Sequence, residues 1–414
     1  MTVVLRQPNP EILRIHVEDA GFVAFQRVAA LEAPNYRLID IFDLEERLRG
    51  HLQALAVGGM AAEEVLLAYV NDGDAEAAGT LLHVGLTNQR MDLIEAALAA
   101  VGEADPEDQS DVRAALARMA GWCSAEVLSP HIKGWLDSGD ALLRWLALSV
   151  CSTHRVDPRS RLVPALGDAD PKVRSEAARV AGVIGREDCR GQLTAADRIP
   201  LMLLSDVEAA CAAASAETFP DDVREARWTA ELFPLVLAQD EAQEAIRELL
   251  GKPETRRWGV VALGALGKAT PLPWLVDAME DPLLARVAGA ALMQITGIYI
   301  AYDGLEMDEF PDDPDDPSLG GDPVEILIET RTPWPDIERM REWLAKEQAK
   351  FNVDERYLLG VPAWSISSPP EEWVKYQSRY RNVAFFQAVE RPGAGLPMWQ
   401  SPVQLASGRF GRAW

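Results

Sequence analysis

Histidine is scarce in this chain of 414 residues, and all five (His16, His51, His83, His131 and His154) fall within the first 154 positions. The remaining 260 residues therefore offer no imidazole base, no imidazole metal ligand and no histidine-centred triad. Cysteine is as sparse: Cys123, Cys151, Cys189 and Cys211 show no paired spacing, which excludes a disulfide framework and suits buried thiols in a reducing cytoplasm. Cys151 and His154 have ligand-like spacing, with Cys123 or His131 as further candidates, but a structural zinc site needs four ligands in short pairs. Buried thiols beside surface histidines are expected, with no metal and no cofactor.

Phosphate-binding loops are missing too. Gly264-Ala-Leu-Gly267 lies in a helical stretch and follows no strand, so it reads as packing. No run of Lys and Arg occurs, and 65 acidic against 40 basic residues give a net charge of −25. That balance repels duplexes and anionic membranes and favours, at most, a basic protein partner. The opening MTVVLRQPNPEIL has no apolar signal region, and the most apolar long stretch, Leu283 to Tyr302, contains Arg286 and Gln294 and fits a buried helix. The acidic pairs Glu45-Glu46, Glu63-Glu64 and Glu371-Glu372 are adjacent in sequence, do not share a helix face, and read as solvated surface.

What the chain does have is helical periodicity. Residues 162–186, LVPALGDADPKVRSEAARVAGVIGR, combine a turn, a helix start at Lys172-Val173-Arg174 and small residues at helical spacing. Arginines echo that helix start at Arg113, Arg144, Arg257 and Arg286; the steps 113→144, 144→174 and 257→286 are 31, 30 and 29 residues. A period near thirty in a helical pattern predicts an all-α fold, an α-solenoid of helix pairs that bury their apolar sides against one another.

Four regions follow. Residues 1–60 form a helical cap, with Ile12, Ile15, Val23, Phe25 and Val28 along a first amphipathic helix and Ile41, Leu44, Leu48, Leu52 and Leu55 along a second. Residues 61–302 carry the repeats, separated by turn signals such as Gly167-Asp168, Pro220-Asp221, Lys252-Pro253 and Asp281-Pro282. Residues 303–323 include PDDPDDPSLGGDP and read as an exposed acidic linker; Asp312, Asp313, Asp315 and Asp316 lack the ligand alternation of a calcium loop. Residues 324–414 form an aromatic-rich, mostly helical but irregular C-terminal region. Within it, Val324 to Thr330 alternates as a short strand or extended docking segment, Trp334 to Lys350 and Glu371 to Val389 read as helices, and the tail from Arg391 lacks a period.

All twelve tryptophans follow residue 121. Trp145 and Trp258 sit immediately after the helix-start arginines Arg144 and Arg257, where Ser175 stands in the clearest repeat. Tryptophans at that position either line a concave groove or fill gaps between degenerate repeats. With Glu176 and Arg179, which lie off the alanine-rich face, Trp145, Ser175 and Trp258 are the candidate partner-binding residues.

The passage DADPKVRSEAARVAGVIG resembles HEAT-type repeats, including the short form of bilin lyases. The resemblance implies that Asp168 or Asp170 and Arg174 bridge adjacent units. Ile15-His16-Val17-Glu18-Asp19-Ala20, Ala33-Pro34-Asn35-Tyr36-Arg37-Leu38, the run from Leu44 to Leu52 and Arg356-Tyr357-Leu358-Leu359-Gly360-Val361-Pro362 are similar to a family of bacterial HEAT-repeat proteins. Its members are often encoded in type VI secretion gene clusters beside spike and effector genes. Arg379 and Arg381 depart from that family's denser basic tail. The resemblance implies a cytoplasmic, non-enzymatic scaffold that binds a toxin effector or its spike or carrier protein, as adaptor or immunity protein. An enzyme on the same scaffold, a bilin-type lyase or a DNA glycosylase, is the alternative; the glycosylase would need a cationic groove.

Overall fold

Aspartate opens many of the helices. Asp74, Asp140, Asp170, Asp206, Asp222, Asp322 and Asp336 each accept a backbone N–H from the first turn of the helix that follows, at 2.8–3.0 Å. Each such cap is worth about 1 kcal/mol. Part of the acidic excess is therefore structural.

In a computed structural model, residues 8–33, 36, 38–363, 385, 386, 389 and 393 are described. The helices are α1 (Pro10–Glu32), α2 (Leu38–Gly58), α3 (Met60–Asn71), α4 (Ala75–Thr87), α5 (Met91–Glu103), α6 (Gln109–Trp122), α7 (Ala125–Leu136), α8 (Ala141–His154), α9 (Leu162–Leu166) and α10 (Pro171–Val183). They continue with α11 (Arg198–Leu203), α12 (Val207–Ala214), α13 (Val223–Val236), α14 (Gln239–Gly251), α15 (Arg256–Leu266), α16 (Leu272–Ala278), α17 (Ala285–Thr296), α18 (Pro323–Arg331) and α19 (Ile337–Glu347). Two short antiparallel strands, β1 (Tyr357–Leu358) and β2 (Val361–Pro362), complete the described elements. The fold is all-α in class, and no single helix among the described residues is long and apolar enough to cross a membrane.

Two compact units divide within α10, one holding 8–28 and 38–177 and the other mainly 178–363. In the first, α4 packs on α6 and α6 on α8, with α3, α5 and α7 beside them. Gly79 permits a close approach of α4 to α6, since a Cβ there would meet the Ala115 carbonyl oxygen at 2.6 Å. In the second, α13 packs on α15 and α15 on α17, with α14 against α15 and α16 against α17. Phe233, Leu249, Val260, Leu272, Leu292 and Ile295 fill the core between them.

The expected phase of α2 matches its burial, with Ile41, Leu44, Leu48, Leu52 and Leu55 all inside. That of α1 matches in part: Val23 is buried and Phe25 and Val28 half-buried, whereas Ile12 and Ile15 are exposed and Leu13, Val17, Ala20 and Ala24 take the inner positions. Residues 324–330 are neither strand nor extended segment but part of α18. Asp322 caps its first turn, Pro323 supplies a preset φ, and Val324 and Ile328 bury one turn apart. α19 starts later than Trp334 because Asp336 is its cap. The expected helix from Glu371 and the tail from Arg391 lie outside the described residues, apart from Phe385, Phe386, Val389 and Gly393.

In the second unit, later parts of the chain cross both ends of the row α13, α15, α17. At the C-terminal ends, Tyr357 N donates to the Gly267 carbonyl at 2.7 Å, Leu359 N to Gln294 at 2.7 Å and Gly360 N to Ile295 at 2.9 Å. Arg356 Nε donates to the Leu266 carbonyl at 2.8 Å. Carbonyls left over at helix ends thus find donors, and the cation sits where the helix dipole favours it.

Candidate functional site

The N-terminal ends of the same three helices carry five arginines. Arg256 donates to the Leu250 carbonyl, and the other four are held by one acidic segment, residues 313–329. Arg224 and Arg227 of α13 meet Asp322 and Glu325, with Nε to Oδ2 at 2.9 Å in the first pair and Nε to Oε2 at 2.8 Å in the second. Arg257 of α15 meets Asp316, Nη1 to Oδ2 at 3.0 Å, and also the Glu329 carboxylate. Arg286 of α17 meets Asp313, Nη2 to Oδ1 at 2.7 Å, and the Glu329 carbonyl at 2.9 Å. Its guanidinium also lies over the ring of Trp334, 4.4 Å from the centroid.

The 303–323 stretch is therefore not a freely solvated linker. Leu305 and Leu319 are buried and the Asp316 side chain is only 8% exposed. Burial is tolerated because each desolvated charge meets an opposite one in good geometry.

Between these helix starts lies a cleft of about 600 Å³, lined by the turns before α13, α15 and α17 and by residues 316–318 and 320. Phe219, Trp258, Leu283 and Leu284 give it apolar walls. Glu217, Asp221, Glu254 and Asp281 line it as well, and none makes an ion pair among the described residues. Arg256 and Arg257 are its only basic lining residues among those described, and Arg257 is already neutralised by Asp316 and Glu329.

Spacing makes Asp281 notable. In the first unit Arg144 grips Asp168, Nε to Oδ2 at 2.7 Å and Nη2 to Oδ1 at 2.8 Å, across 24 positions. The Arg144 guanidinium holds the Asp168 carboxyl below its usual range. Asp281 stands the same distance after Arg257, yet Arg257 is engaged by the acidic segment instead. The expected bridge from Arg174 to Asp168 or Asp170 also differs. Arg174 Nη1 donates to the carbonyls of Asp168 and Ala169 at 2.7 and 2.9 Å, while Asp170 caps α10. Asp168 is held by Arg144, 30 positions before Arg174.

The five residues expected to bind a partner are dispersed. Trp258 lines the cleft but is 3% exposed and belongs to the core. Trp145 is half-buried beneath the Arg113 guanidinium, 5.6 Å from its centroid. Ser175 is exposed, Arg179 half-buried, and Glu176 buried at 8%, against its expected exposure. Trp145, Ser175 and Glu176 belong to the first unit, Arg179 and Trp258 to the second. The cleft residues overlooked in the sequence were present there as turn markers: Pro220-Asp221, Lys252-Pro253 and Asp281-Pro282 separate the helices whose starts it joins.

Glu45, expected on the surface, is fully buried and paired with Arg27, Nε to Oε1 at 2.8 Å. Burial raises its carboxyl above the ordinary value despite Arg27. On α13, Glu231 is buried one turn after Arg227, and desolvation pushes it up to about 8.

Cys123 Sγ lies 3.3 Å from His83 Nδ1, but burial pushes the thiol up to about 12 and the imidazole down to about 4. Both are neutral near pH 7, so the pair lacks the thiolate a nucleophile needs. Cys151 is likewise pushed up to about 12, and His154 Nε2 faces the Gly121 carbonyl at 3.1 Å rather than the thiol. Cys211 is exposed, unlike the other three, and no histidine is fully exposed. Among the described residues no three His, Cys, Asp or Glu side chains are grouped as metal ligands. No family model, no curated protein and no solved structure matches the chain.

Proposed function

We propose that this chain is a non-enzymatic scaffold, an α-solenoid of HEAT-like helix pairs that binds a protein partner in the cytoplasm. The partner class is a toxin effector, or the spike or carrier protein that delivers it, in type VI secretion, with the chain acting as adaptor or immunity protein. The carrying observation is the cleft at the starts of α13, α15 and α17, where apolar walls adjoin four carboxylates with no ion-pair partner among the described residues. Clefts that combine apolar surface with a few polar groups are the usual binding sites of proteins. The succession of α4 on α6 on α8, and of α13 on α15 on α17, supports the repeat architecture, as does the Arg144–Asp168 bridge between successive turns. The similarity of residues 15–20, 33–38, 44–52 and 356–362 to the secretion-associated family supports the pathway.

The test is tagged co-purification from cells with an active type VI system, followed by co-expression with any toxin recovered. An effector, spike or carrier protein enriched over a tag-only control is the expected result, and growth rescue of toxin-expressing cells selects the immunity role. Recovery of no such protein overturns the reading.

A further inference from the structure

We propose that the cleft docks an extended peptide segment in which Lys or Arg adjoins bulky apolar side chains. This deepens the scaffold reading and rests on it. The charge argument comes first. With Arg257 engaged by Asp316 and Glu329, Arg256 is the one remaining basic lining residue among those described, beside Glu217, Asp221, Glu254 and Asp281. Four like charges around one concavity repel one another, and a cationic guest relieves that repulsion while an acidic guest adds to it.

The walls set the second requirement. Phe219, Trp258 and Leu284 are each under 10% exposed and present apolar surface, and Leu283 at the rim is 37% exposed. A guest with charge alone leaves those walls wet, whereas Leu or Trp beside the cation removes apolar area from water at about 25 cal/mol per Å². A volume near 600 Å³ holds a few side chains, within the ordinary range for ligand sites.

The reading is tested with the full-length protein and a fluorescein-labelled peptide, GRLWRLG, followed by fluorescence anisotropy. Controls are a peptide of equal charge with its three apolar residues replaced by serine and a second with both arginines replaced by glutamate. The quadruple variant E217Q/D221N/E254Q/D281N removes the charge while retaining polar side chains, and E103Q/E107Q removes exposed charge in the other unit. Thermal melts establish that each variant is folded.

GRLWRLG is expected to bind, both control peptides at least about tenfold more weakly, and the quadruple variant about tenfold more weakly than the parent. E103Q/E107Q is expected to match the parent. Equal binding of the serine peptide, unchanged affinity in the quadruple variant, or an equal loss in E103Q/E107Q overturns the proposal.

A cellular partner retained in full by the quadruple variant also overturns the cleft assignment and leaves the scaffold reading standing. Peptide binding that meets all these expectations, in a protein that recovers no secretion partner, supports the cleft and overturns the secretion reading.

Discussion

Arg257 reaches 59 positions along the chain to hold Asp316, Nη1 to Oδ2 at 3.0 Å, with both side chains almost fully withdrawn from water. A buried pair of this kind depends on both members. Removing one leaves a desolvated charge, at a cost of roughly 3–5 kcal/mol. Asp316→Ala is expected to lose about that much in urea unfolding. Asp313→Ala, whose carboxylate is half exposed against Arg286, should lose less than about 1 kcal/mol. Equal losses in the two variants would refute the burial argument.

Glu231 gives a pH dependence with a definite sign. Its folded value near 8 lies above the ordinary 4.5, so the native state binds the proton more tightly than the unfolded chain. Its contribution to stability is fully present below pH 4.5 and is lost as the pH rises from there through 8. Glu231→Gln, which mimics the protonated form, should become progressively more stable relative to the parent across that window. Urea midpoints measured from pH 5 to 9 check this; a difference that stays flat with pH would rule the assignment out.

Thiol reactivity should sort the cysteines. Cys211 is exposed, whereas Cys123, Cys151 and Cys189 are buried, and the first two of these are pushed up to about 12. Ellman's reagent at pH 8 is expected to modify one thiol quickly in the native protein and four in guanidinium. Fast reaction of two or more native thiols contradicts the packing described for them.

Glycine replacement should have opposite signs at two helix ends. Gly267 ends α15 with φ at +75°, and a Cβ there would collide with the Tyr357 carbonyl. Gly267→Ala is expected to cost about 1–3 kcal/mol. Gly102, inside α5, has open space around its Cα, and Gly102→Ala should gain up to about 1 kcal/mol. Differential scanning calorimetry of the two variants reads both signs.

The helices themselves were largely legible. Periodic apolar residues and polar turns placed α2, α10, α15 and α17, and the recurring arginines marked helix starts. Their partners were not legible, because ion pairs such as Arg227 with Glu325 join positions 98 apart and leave no local pattern. Prolines and aspartates between 311 and 323 carry a disorder-like composition, yet four arginines from other helices pair with Asp313, Asp316, Asp322 and, at the start of α18, Glu325. Glu176 was misplaced because a helix packed on more than one side buries positions that a single-face pattern assigns to solvent. Alternation at Val324–Thr330 suggested extension, but the Asp322 cap and Pro323 favour a helical turn more strongly than short alternation favours a strand. The cleft was hidden for a related reason: turns look like punctuation until three of them are brought side by side.

The segments that cross both ends of α13, α15 and α17 also set an order of events during synthesis. Arg227 leaves the ribosome 98 residues before its carboxylate partner Glu325. At about 5–20 residues per second the interval is roughly 5–20 s, during which the arginine-bearing helix starts have no acidic segment beside them. This half of the protein completes itself from behind, and nascent chains that stop short of residue 313 present four arginines to whatever anion the cell supplies.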